Sequence, residues 1–180
     1  MSIHRLRNFD ADPGAVDFML NDFPSDPVAI EKAVLTYIPY RHDWTVYSMP
    51  WYCPTIEEVL ERETGDCKSR ALVLASVLEA KNISYQIKLS PTHVWVNYES
   101  KQDTSIENEQ VEFYQYDPET GEKQFKIPHI GFSRVWNAFW QSFWDPMPES
   151  RKALLISGPL ALIAARVILR KKRTAQKLGG

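Results

Sequence analysis

Only two cysteines, Cys53 and Cys67, occur in 180 residues. So few leave a disulfide-scaffolded secreted fold unsupported and make a single bridge possible but unforced. There is no glycine-rich phosphate loop, zinc-type cysteine spacing or internal repeat, so no cofactor or metal is expected. The opening "MSIHRLRNFDADPG" lacks the apolar core of a cleavable export signal. Acid is missing from residues 151 to 180, which hold eight Lys or Arg and leave about -10 on residues 1 to 150. A domain of that charge is not expected to bind nucleic acid, and the basic tail reads as a lipid-headgroup or membrane-topology signal.

What is present suits one domain with an appendage, since a 44% hydrophobic content is enough for a core. Residues 25 to 40, "SDPVAIEKAVLTYIPY", read as a helix capped by Ser25 or Asp26, with Ile30, Val34, Leu35 and Ile38 on one face. Thr55 and Glu58 have capping-box spacing at the head of "TIEEVLER", and Gly65 is expected to end that helix. From Cys67 to about Ala80 the chain is apolar nearly all round, the pattern of a buried helix. After Asn82 the period becomes two in "ISYQIKLS", "HVWVNYE" and "QVEFYQYD", so helices are followed by strands and an α+β domain with an antiparallel sheet is predicted. The intervening "SKQDTSIENE" reads as a polar, mobile loop.

Residues 131 to 150 form a separate aromatic segment, with Phe132, Val135, Trp136, Phe139, Trp140, Phe143 and Trp144 on one broad helical face. Such a face suits core packing, a partner site or the bilayer interface. Residues 153 to 169, "ALLISGPLALIAARVIL", reach the low end of a spanning length, although Gly158, Pro159 and Arg166 weaken the run. Trp136, Trp140 and Trp144 before it, and Arg170, Lys171, Lys172 and Arg173 after it, are the expected interfacial anchors. A single C-terminal span or an interfacial anchor is therefore expected. The basic cluster favours the cytoplasm while the N-terminus offers no route for export, so the sequence leaves the side of the membrane open.

Cys67 begins its helix behind Thr64 and Asp66, either of which can cap it, and the positive end of a helix favours a thiolate. His93 begins one strand and Asp117 ends another. If those strands are antiparallel neighbours, His93 lies between Cys67 and Asp117, able to move the thiol proton and be held in one tautomer by the acid. A lone cysteine at a helix start is more often a small buried residue, and a lone histidine opening a strand is more often incidental. The order of all three is what argues for chemistry. Cys53 reads as a packing residue, and His42 and His129 as structural or exposed.

The stretches "TIEEVLERETGDCKSRALVLASVLEAKNISYQI", "THVWVNYE" and "YQYDP" together resemble the transglutaminase-like superfamily. The resemblance covers residues 28 to 118, within a domain taken as 1 to 130. It implies a papain-like core with Cys67 as nucleophile, His93 as general base and acid, and Asp117 as the orienting carboxylate. The implied reaction is attack on an amide or peptide bond through a thioester, with hydrolysis favoured over transamidation because the chain has no room for the accessory domains of cross-linking members. The Cys67 N–H would form part of an oxyanion site, with Trp51 or Tyr52 as a second donor. Lys68, Ser69 and Arg70 stand where many members have an acid; they are expected to pair with acidic loops or with the Glu57 to Glu63 run. Expected partners are a peptide or protein amide and the lipid bilayer. The alternative is a catalytically idle subunit of the same fold, docked in a membrane protein assembly.

Overall fold

The computed structural model describes residues 11–129 and 131–178, with side chains through 169. Residues 1–10 of the N-terminal stretch, and the side chains of Arg170, Lys171, Lys172 and Arg173, lie outside the described residues. Helix α1, Pro27–Tyr37, starts where expected: Asp26 is the cap, its carboxylate accepting from the Ala29 N–H at 2.8 Å, with Pro27 in the first turn. Ile30, Val34 and Ile38 are buried, but Leu35 is 43% exposed. After a one-turn helix α2, Asp43–Val46, helix α3, Ile56–Arg62, opens with both bonds of the Thr55–Glu58 capping box.

Glu63, not Gly65, closes α3, in the left-handed conformation at φ 49°. Gly65 has a different task. A Cβ there would fall well inside contact distance of the Ser69 side chain, which is fully buried one turn along the next helix. Glycine is thus required by space rather than by backbone angle, and its carbonyl accepts from the Arg41 N–H at 2.9 Å.

Helix α4, Cys67–Ala80, is the centre of the domain. Asp66 caps it through the Lys68 N–H (2.9 Å) and Ser69 N–H (3.4 Å), and every residue from Ala71 to Leu78 is buried. It packs against α1, α3, a 3-10 helix at Gly14–Asp22, and the sheet. Four strands form that sheet: β1 Tyr85–Leu89, β2 Val94–Tyr98, β3 Tyr114–Tyr116 and β4 Lys123–Phe125, in the order β2-β1-β3-β4 with all neighbours antiparallel. The α+β class is as predicted; the short exposed β4 is an addition. Ahead of β3, Glu112 is fully buried between the ammonium groups of Lys88 and Lys126, each at 2.9 Å. These pairings neutralise a carboxylate that could not otherwise be taken out of water.

Beyond the sheet come α5, Phe132–Phe139, a π-helical turn, Trp140–Trp144, and α6, Glu149–Leu178. No residue of α5 or the π turn is buried, so the aromatic face is not core. Its rings stack on one another: Trp140 on Trp144 at 5.3 Å and Phe139 on Phe143 at 5.2 Å. Phe143 continues the stack onto Trp51 at 4.9 Å, while its carbonyl accepts from the Trp44 indole N–H at 2.8 Å. Among the described residues one helix is long and apolar enough to cross a membrane, the Glu149–Leu169 part of α6. Its 21 residues span about 31 Å, the thickness of a hydrocarbon core, and its apolar side chains are exposed.

Candidate active site

The first turn of α4 points Cys67 into a groove of about 620 Å³ between α1, α4, β2 and residues 100 to 107. Half-buried and free of any disulfide, Cys67 shares that groove with His93, near enough to contribute to the raised pKa of the imidazole. The alternation of β2 places His93 and Trp95 on one face, as expected, and their rings stack at 6.1 Å and 11°. These two of the three proposed catalytic residues therefore meet.

Asp117 does not join them. The adjacency expected of the His93 and Asp117 strands fails because β1 lies between β2 and β3 and pairs with both, which sets those strands about 10 Å apart. Register separates the residues further. His93 abuts the Leu89 end of β1, whereas Asp117 faces Gln86, whose amide donates to its carboxylate at 3.4 Å. The remaining Asp117 oxygen accepts from the Glu119 and Thr120 N–H groups, so this carboxylate shapes a turn.

Glu107 takes the position next to the imidazole. Its Oε1 lies 2.8 Å from His93 Nε2. Its Oε2 pairs with Lys101 Nζ at 3.1 Å, and that ammonium is also held by Glu31, whose other oxygen accepts from the Tyr98 hydroxyl. The segment expected to be mobile is folded around this residue: Glu107 N–H donates to Thr104 Oγ1 (3.1 Å), and Thr104 N–H to the Glu107 carbonyl (3.0 Å). Thr104 and Glu107 have the spacing of a capping box, the one local signal in "TSIE" that this loop is structured. Nothing local announces that it reaches His93.

Burial disfavours a charged His93, but hydrogen bonds to Cys67 and Glu107 outweigh it and push the imidazole up to about 9 from its ordinary 6.5. Burial likewise opposes ionisation of Glu107, yet His93 and Lys101 hold it below the usual carboxylate range. The imidazolium is thus the form that the folded site favours at neutral pH. A raised folded value means that its contribution to stability is complete below about 6.5 and is lost as pH rises through about 9. We expect the Tm advantage of the native protein over His93→Gln to be largest at pH 6.5 and to shrink to nothing above pH 9, as read by thermal melts between those values.

Lys68 and Arg70 do not pair with the Glu57 to Glu63 run. Lys68 binds Asp66 and, at 2.9 Å, the buried Asp43, a bridge from the head of α4 to α2. Burial, with Asp66 nearby, pushes the Asp43 carboxyl up to about 6 despite Lys68. Arg70 donates to the carbonyls of Ile38 (2.8 Å) and Leu35 (3.4 Å) and covers the Tyr40 ring. Trp51 and Tyr52, expected as a second oxyanion donor, are not among the groove's lining residues. Cys53 is buried, His129 exposed and His42 half-buried at the start of α2. Among the described residues no cluster of His, Cys, Asp and Glu could hold a metal ion. No family model matches the chain and no curated protein matches it, so the chemistry of the site rests on its own geometry.

Proposed function

We propose that the chain is a membrane-anchored, transglutaminase-like cysteine-nucleophile enzyme that cleaves amide or peptide bonds through a thioester. The observation that carries this reading is the line Cys67, His93, Glu107 in one groove, with the thiol at the start of a fourteen-residue helix. With the thiol proton held on His93 as the imidazolium, the Cys67 thiolate attacks and the ring gives that proton to the leaving amine, while Glu107 holds the ring and balances its charge. Asp66 engages the second and third amides of α4, and the first, that of Cys67 itself, is left for the oxyanion. The exposed α6 and the aromatic ladder ending in Trp136, Trp140 and Trp144 support the membrane anchor, with Arg170 to Arg173 as the basic flank. A docking role for the same fold is the second reading, favoured by the 51% exposure of Trp136 and 42% of Trp140.

Reactivity separates the two readings. Alkylation by iodoacetamide between pH 5 and 10, followed by mass spectrometry, should modify Cys67 ahead of the buried Cys53 and slow by about 10²-fold in His93→Ala. Equal, slow modification of both cysteines regardless of His93 would establish the idle subunit instead.

A further inference from the structure

Aliphatic side chains line part of the groove beside Cys67, and several of them at its rim are exposed. Val34 and Leu74 form the floor, while Val28, Leu35 and Ile106 are 47%, 43% and 52% exposed at the edge. Its charged groups are His93 with Glu107, the pair that clamps Glu107, Lys101 and Glu31, and Arg70, which is bound to backbone carbonyls. A groove of that volume, whose accessible surface is mainly apolar and whose Glu31, Lys101 and Glu107 charges are paired with one another, suits a flexible hydrocarbon better than a charged peptide.

The position of this groove relative to the aromatic ladder is set by direct contacts. Lys68, next to Cys67, binds Asp43, and Trp44, next to Asp43, donates to the Phe143 carbonyl. Tyr40 lines the groove and lies only four residues before Trp44, within about 14 Å along even a fully extended chain. The reactive end of α4 is therefore on the side of the domain that carries the exposed indoles and leads into α6. Rings of this kind concentrate at the bilayer interface.

We propose that the groove receives the hydrocarbon chain of a bilayer-resident N-acyl amide, so that the bond attacked is the one joining a fatty acyl group to an amine. This assignment rests on the cysteine-nucleophile reading above and names its substrate class. Cys67 Sγ adds to the acyl carbonyl, and the C–N bond breaks as His93 gives its proton to the departing amine. Water then cleaves the C–S bond of the thioester, releasing the fatty acid and restoring the thiol.

The test uses the full chain in phosphatidylcholine vesicles and N-alkyl iodoacetamides with chains of two, eight and sixteen carbons, each rate divided by that of glutathione in the same vesicles. Alkylation of Cys67 should quicken with chain length by up to about fourfold per added methylene until the groove is filled, and Leu35→Glu should flatten the series. The sixteen-carbon reagent should also react faster from vesicles than from an albumin complex. A flat series with His93-dependent labelling intact would overturn the acyl assignment while leaving the nucleophile reading standing. So would faster labelling by an iodoacetyl peptide rich in leucine, which would indicate a peptide groove, and faster delivery from albumin would overturn the bilayer source. Loss of His93 dependence with every reagent would instead remove the nucleophile reading itself.

Discussion

On the proposed cysteine-nucleophile chemistry, Glu107→Gln should lower Cys67-dependent amide cleavage by about 10²-fold or more, whereas Asp117→Asn should leave it within about twofold of the native rate. The contrast follows from which carboxylate touches the ring. Glu107 Oε1 sits 2.8 Å from His93; glutamine can still accept from the ring but leaves the imidazolium without a counter-charge in a half-buried site. Asp117 serves a turn at the other end of β1, where an amide can still accept the same backbone bonds. The measurement is kcat on a fluorogenic N-acyl or peptide amide, with the iodoacetamide rate at pH 7 as a substrate-free check. A collapse on Asp117→Asn with a silent Glu107→Gln would restore the strand-end acid that the resemblance implies. Lys101→Met should fall between the two, because it loosens Glu107 without removing it.

Gly65→Ala costs about 3 kcal/mol and lowers Tm by about 10 °C, the largest stability effect we expect from a single added methyl group. The new carbon would meet Ser69, whose side chain is fully buried and fixed within α4. Either the strand-like contact of Gly65 with Tyr40 opens or the first turn of α4 shifts, and Cys67 lies in that turn. Thermal melts with the Ser69→Gly partner change separate crowding from backbone effects: the double variant should recover part of the loss, less about 1 kcal/mol for a glycine inside a helix. An unchanged Tm in the single variant would show that this close approach is not a feature of the folded protein.

The helices were legible because their signals are local. Asp26 and Asp66 are caps with the bonds their spacing promises, Thr55 and Glu58 complete both arms of their box, and the all-round apolar run after Cys67 is buried. Gly65 was misread as a stop because a glycine after a helix has two uses, and only the packing against Ser69 shows which one applies. The carboxylate beside His93 was not the expected one for a different reason. Which strands lie side by side is a long-range choice, and inserting β1 between β2 and β3 moved Asp117 away while nothing in its own alternation changed. Glu107 sat in a polar loop whose composition resembled solvent-exposed linker, and its value came from Lys101 and Glu31, the latter far away in sequence. Strand β4 is three exposed residues, too short for a period to be seen.

The residues from Ser100 to Glu107 do two things at once: they wall one side of the groove, and they carry the carboxylate that orients His93. A ligand that fills the groove must press on Ile106 and Thr104, the immediate supports of Glu107. On the proposed chemistry, occupancy of the groove and the placement of His93 would thereby be coupled. On that chemistry, a guest that shifts this wall would shift Glu107 and with it His93, so selectivity would be written into turnover as well as into affinity.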